Sequence, residues 1–213
     1  MKKLILRLMT GLLLGAGACS SGMPDFKLQP GDLLFRGAAS GNLSQAIDQV
    51  TQTGQNTHFS HVGLVETTGD SIRILHASPA GGTCRIALYD FLHPEEGDSS
   101  MVVAYRLKKL QKNTISGALT RAEAMLGKPY NFTYMLSDTA YYCSDFIYRA
   151  FAPDSVFSLN PMTFRDPHTG AFYPEWIEYY QKLGLKIPEG LPGCNPNGLA
   201  ASENLERLGV VKE

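Results

Sequence analysis

The stretch Tyr141-Tyr142-Cys143-Ser144-Asp145-Phe146-Ile147-Tyr148-Arg149-Ala150-Phe151 constrains this chain more than any other. It reads as a short loop running into an apolar-faced helix, with a cysteine where the helix begins. Phe146, Ile147, Ala150 and Phe151 recur at helical spacing, Asp145 falls in the first turn, and Pro153 stops the run. A thiol at a helix N-terminus feels the positive end of the dipole, which favours the reactive thiolate. Cys143 is therefore a candidate nucleophile. Its other reading is a small buried hydrophobe, so the rest of the chain has to supply a base.

Two β-rich runs supply it. Phe59-Ser60-His61-Val62-Gly63-Leu64-Val65 and Ser71-Ile72-Arg73-Ile74-Leu75-His76-Ala77 flank the turn residues Thr67-Thr68-Gly69-Asp70, which predicts a hairpin. A turn centred between Thr68 and Gly69 sets His61 directly opposite His76, with both rings on one face. A turn centred on Gly69 slips the register by one and sends the rings to opposite faces. Facing imidazoles suit a base and the partner that fixes its tautomer. Gly63 then leaves room beside His61 for a substrate or another side chain. Taken singly, His61 also reads as a half-buried strand histidine and His76 as a solvated strand end. His58 falls on the other face. No CxxC or HExxH spacing is present, so neither a metal nor a cofactor is expected.

The remaining elements frame these residues. Strands are predicted at Asp32–Phe35, Cys84–Leu88 and Met101–Leu107, with a short helical turn over Leu88–Leu92. Helices are predicted from Leu43 to Val50 behind Asn42, from a Thr114 cap to Leu126, from Pro174 to Leu183, and after Ser202. Gly127 and Pro129 are stop signals, and Tyr130 behind them is a core aromatic or a donor to an oxyanion beside Cys143. The acidic run Glu95, Glu96, Asp98 reads as a solvated loop. The tail after Pro153 reads as a loop-rich cover whose aromatic residues pack the core or wall a pocket.

The N-terminus is a targeting segment. Lys2, Lys3 and Arg7 precede an apolar run that ends at Ala16-Gly17-Ala18-Cys19, too short for a comfortable membrane span. The run resembles a bacterial lipobox, with Ala16 where leucine is usual. It implies removal of residues 1–18, lipidation of Cys19 and a tether to residue 25; an ordinary secretory signal is the other reading. Residues 26–213 then form one domain with a full core. The net charge of −1 gives no basic footprint for nucleic acid. With Cys19 set aside, the odd count of Cys84, Cys143 and Cys194 leaves at least one thiol unpaired, and a Cys84–Cys194 bridge stays open.

Five short motifs together resemble a known family. Pro30-Gly31-Asp32-Leu33-Leu34-Phe35, Ser60-His61-Val62-Gly63 and Leu75-His76-Ala77-Ser78 resemble the second half of the NlpC-type cell-wall peptidases. Gly127-Lys128-Pro129-Tyr130 and Cys143-Ser144 resemble the first half of the same family. The swapped order is similar to the circularly permuted, papain-like amidases of the YiiX/YebB type, kin to lecithin retinol acyltransferases. The tail Pro188-Glu189-Gly190-Leu191-Pro192-Gly193 and Asn195-Pro196 looks like that group as well. The resemblance implies an α+β papain-like fold, an antiparallel sheet packed against helices. It implies Cys143 as nucleophile, His61 as base, His76 as orienting residue and Tyr130 as oxyanion-assisting residue, with Asp145 structural. Where members of the group often carry Glu, this chain has His76. It further implies a monomeric envelope enzyme, held at the membrane through its lipid. The substrate would be peptidoglycan peptides or, by the acyltransferase kinship, lipid acyl groups. A non-catalytic envelope binding protein of the same fold is the competing class.

Overall fold

A computed structural model describes residues 26–37, 42–94, 101–108 and 112–211. The leader with Cys19 and the acidic run at Glu95 lie outside the described residues. Among the described residues no helix is long and apolar enough to cross a membrane.

Six strands form one antiparallel sheet: β1 (Leu33–Gly37), β2 (Phe59–Thr68), β3 (Ser71–Ser78), β4 (Gly82–Ala87), β5 (Val102–Leu107) and β8 (Leu205–Val210). Their order is β4-β3-β2-β1-β5-β8, and a two-residue pair, β6 (Asn160–Pro161) with β7 (Pro192–Gly193), stands apart. The helices are α1 (Asn42–Val50), α2 (Leu88–Leu92), α3 (Lys112–Ala124), α4 (Cys143–Phe151), α5 (Pro174–Leu183) and α6 (Pro196–Ala200).

Strand alternation sorts the core onto the two faces of the sheet. Leu33, Phe35, Val62, Leu64, Leu75 and Ala77 pack with α1, α3, α4, α5 and α6. Leu34, Val65, Ile74, Val102 and Ala104 pack with Phe91 and Leu92 of α2. Phe146, Ile147, Ala150 and Phe151 of α4 are fully buried. Their three large side chains hold α4 to the sheet with roughly 1.5–3 kcal/mol each.

The fold is α+β, as expected, but three details differ. Thr68 pairs with Ser71, so the hairpin loop is Gly69-Asp70 and its centre lies one residue beyond the expected one. Gly69 has φ +60, as the first loop position of a type II′ turn requires. Every partner therefore moves by two residues, and His61 and His76 become diagonal rather than direct neighbours. An even shift preserves faces, so the pairing of the rings survives. Next, no helix follows Ser202. A short α6 capped by the Asn195 side chain precedes it, and Leu205–Val210 extends along β5. The reason is the free edge of β5, which pairing with β8 satisfies. Finally, α3 starts two residues before Thr114. Cys84, Cys143 and Cys194 are all free thiols, so no bridge joins Cys84 to Cys194.

Candidate active site

Cys143 opens α4, as its sequence implies. Tyr142 is extended ahead of it, and its side chain does not cap the helix, whose first turn therefore has no side-chain acceptor from the N-cap position. Two distant segments fix this start. Tyr141 bonds across to the segment after Gly127, through its N–H to the Pro129 carbonyl (3.1 Å) and its carbonyl to the Asn131 N–H (3.1 Å). That segment is itself stitched to β4, with Lys128 N–H donating to Thr83 Oγ1 at 2.8 Å. On the other side, Ser144 Oγ donates to the Cys194 carbonyl (3.0 Å) and the Cys194 N–H donates to Tyr142 Oη (3.3 Å). The residues flanking Cys143 thus grip one backbone position in the tail.

The histidines meet. His61 Nε2 lies 2.8 Å from His76 Nδ1, and the rings stand at 82° with centroids 5.1 Å apart. Both are buried. With Nε2 engaged by His76, the nitrogen left on His61 for other work is Nδ1. The β1–β2 ladder is irregular here, pairing Arg36 with His61 but Gly37 with Phe59, so β2 carries an extra residue at Ser60. Such a bulge re-aims the neighbouring side chain. Cys143 Sγ lies against the same strand, 3.9 Å from the Ser60 carbonyl. No hydrogen bond joins Sγ to either imidazole among the described residues. The thiol is set against the β2 backbone, at the Ser60 carbonyl and the Val62 N–H.

Burial dominates the electrostatics. Desolvation pushes the Cys143 thiol up to about 11, against the opposing pull of the Ser144 N–H and hydroxyl, the Val62 N–H and the Arg36 charge. The expected low-pKa thiolate is therefore overturned, because the helix-terminal donors are weaker than the loss of water. Burial, then Arg36, then His76 hold His61 well below its usual value. Burial and then Arg36 lower His76 to about 4. The resting state is a neutral thiol beside two neutral imidazoles.

Tyr130 sits one layer back. Burial raises its hydroxyl well above the usual range, and its charge is coupled to Cys143 and hydrogen-bonded to Tyr134. Tyr134, in the left-handed region at φ +56, lines the cavity together with Tyr142. Asp145 is structural: its Oδ1 accepts from Arg149 Nε at 2.8 Å, its Oδ2 is buried without a partner, and burial lifts it to about 6. His58 bonds Asp48 at 2.8 Å, away from the pair.

Sequence reasoning missed Arg36 and Phe91, and the part of the cavity wall that α1 supplies. Arg36 is the Cα partner of His61 across β1–β2, and its Nη1 donates to the Phe91 carbonyl at 3.1 Å. An arginine ending the apolar run Leu33-Leu34-Phe35 was the available signal. Of the two uses expected for the room at Gly63, a substrate or another side chain, the structure shows the second: a Cβ there would lie 2.4 Å from Ile74 Cγ2 and 2.8 Å from Phe91 Cε2. The space is taken by Phe91.

Beside Cys143 lies a cavity of about 120 Å³. Ile47, Val50, Tyr134, Met162, Phe164 and Trp176 line it, with Ser60, Ser144 and Cys194 at the thiol end. No charged side chain is among its lining residues. Trp176, on α5, is 2 % exposed and donates from Nε1 to the Ala46 carbonyl at 3.2 Å, so the tail both packs the core and walls the pocket.

This architecture can be placed among known proteins. No curated protein matches the chain. A solved structure described as the metalloprotein YiiX from Escherichia coli O157:H7 superimposes with a TM-score of 0.69, covering 88% of this chain and 99% of that one at 22% identity. At that identity the likeness speaks for the fold. The family model for permuted papain-like amidase enzymes of the YaeF/YiiX type matches residues 27–209. The chain therefore belongs to the permuted papain-like amidases, a family of cysteine hydrolases.

Proposed function

We propose that the protein cleaves an amide by acyl transfer to Cys143, and that the acyl side of its substrate is apolar. The observation that carries the substrate reading is the uncharged, aromatic-walled cavity that opens on Sγ. His61 Nδ1 takes the thiol proton as sulfur attacks the carbonyl carbon, and the same nitrogen returns it to the leaving amine. His76 holds the His61 ring through the 2.8 Å contact. The Cys143 N–H at the start of α4 faces the developing oxyanion, with the Tyr130–Tyr134 pair behind it. Water then releases the acyl group.

A peptidoglycan stem peptide would bring carboxylates and amines to a cavity that offers them no counter-charge. An acyl chain loses nothing there and gains about 25 cal/mol per Å² buried. Lipidation at Cys19 and residence in the cell envelope belong to the same proposal, since they would hold the enzyme where acylated substrates lie. Among the described residues no three of His, Cys, Asp and Glu converge on a place that would hold a metal ion.

The test is turnover of N-acyl amides of graded chain length beside muropeptides, with Cys143→Ala as control. Rising kcat/KM with chain length, abolished by Cys143→Ala, is the expected result. Turnover of muropeptides alone would overturn the substrate reading, and unchanged cellular effect of Cys143→Ala would overturn catalysis.

A further inference from the structure

His76 Nδ1 is engaged by His61, but His76 Nε2 is buried with no hydrogen-bond partner. The proton on this pair has two arrangements. If His76 carries its hydrogen on Nδ1, it donates to His61 Nε2, and the neutral His61 must carry its own hydrogen on Nδ1. That blocks the nitrogen needed to accept the thiol proton. If His76 carries its hydrogen on Nε2, its Nδ1 accepts from His61 Nε2–H, and His61 Nδ1 keeps a lone pair for Cys143. The second arrangement is the reactive one, and it points an N–H into a site with no oxygen or nitrogen acceptor.

The Phe91 ring packs against His76. It stands at 71° to the His76 ring with centroids 5.7 Å apart, an edge-to-face arrangement. The ring edge of an imidazole N–H is positive and an aromatic face is negative, so an edge-to-face pair of this kind has room for an N–H···π contact. The same ring lies beside the Arg36 guanidinium, whose Cζ is 5.2 Å from its centroid. Two features hold Phe91 in place. Arg36 Nη1 bonds its carbonyl, and the missing side chain at Gly63 gives its ring the space it fills.

We infer that Phe91 is a positioning residue that selects the reactive tautomer of the histidine pair, by accepting the His76 Nε2–H on its ring. Phe91 touches neither the thiol nor the cavity. It acts through His76 on His61, and this role rests on the reading of His61 as the base.

Nitrogen NMR of histidine-labelled protein above pH 7, where both imidazoles are neutral, reads the tautomers directly. Wild type should show both His61 and His76 protonated at Nε2. Phe91→Leu keeps the apolar volume and removes the ring, and should move both toward Nδ1–H. Its kcat should fall by about two- to fivefold with KM unchanged, the population change a contact of this strength supports. Phe91→Tyr keeps the ring and should restore both readouts. Wild-type His76 protonated at Nδ1, or a folded Phe91→Leu with wild-type tautomers, would overturn the inference. Should Phe91→Leu fail to fold, the wild-type spectrum decides alone. Retained turnover in His61→Ala would instead remove the base reading, while leaving the tautomer measurement to stand or fall by itself.

Discussion

The thiol of Cys143 should behave as a neutral, protected group until a base acts on it, and its alkylation should say so. At pH 7.5 an unperturbed thiol with a pKa of about 8.5 is roughly one-tenth thiolate. At about 11, the value burial imposes on Cys143, the fraction falls to roughly three in ten thousand, some 300-fold less. Relative to the ordinary value of 9.0, burial disfavours the thiolate by about 3 kcal/mol. The assay is iodoacetamide labelling from pH 5 to 10, with the peptides containing Cys143 and Cys84 quantified separately by mass spectrometry. Restricted access to a buried sulfur lowers the absolute rate at every pH, so the slope is the readout. The logarithm of the Cys143 rate should climb with unit slope through pH 9 and show no plateau. A plateau reached below pH 7 would mean a thiolate–imidazolium pair at rest, and would refute the argument that desolvation outweighs the helix-terminal donors.

The two histidines should make the fold acid-sensitive. His76 is lowered to about 4 in the folded state, so its contribution is complete above the unfolded value of about 6.5 and is lost as pH falls toward 4, up to about 3 kcal/mol by urea denaturation. Asp145, raised to about 6, takes up a proton in the folded state first and offsets part of that loss; Asp145→Asn should steepen the decline between pH 6 and 4. Gly63→Ala drives a methyl into Ile74 and Phe91 and should lower stability by about 1–3 kcal/mol in thermal melts. Asp32 is buried and takes both Arg106 Nε and Nη2, at 2.7 and 2.8 Å, together with the Gln29 N–H. Asp32→Ala leaves that arginine without its carboxylate and should cost about 3–5 kcal/mol. A loss under 1 kcal/mol would show the pair to be replaceable by water.

The faces of the hairpin were legible because alternation survives an even shift, although the turn was placed one residue early. What chose the turn was the positive φ that Gly69 alone supplies, against two threonines with strong strand preference. The helix at Cys143 was legible down to its first residue, since spacing, the first-turn acid and Pro153 agree. The state of its thiol was not, because burial is a property of the assembled core and outweighs a local dipole. The last strand escaped notice for a related reason: Leu205–Val210 is a strand through its partner β5 rather than through its own pattern. Phe91 reads as one more apolar residue in a short helical turn. Only the packing shows that it fills the space above Gly63 and meets both imidazoles. The cavity wall draws on α1, α5 and the tail, and no local pattern joins Ile47 to Trp176.

The grip of Tyr142 and Ser144 on Cys194 separates what position 194 does with its backbone from what it does with its side chain. Both ties run to the main chain, to N–H and C=O, which every residue but proline offers. Cys194 also lines the cavity, and its thiol meets the Tyr142 hydroxyl at 3.8 Å and the Ser144 side chain. Position 194 is thus a place where the bore of the cavity can be widened to glycine or alanine, or narrowed to valine, while the nucleophile keeps its mooring. On the proposed reading, the breadth of the acyl pocket and the anchoring of Cys143 are, at that point of the chain, separately variable.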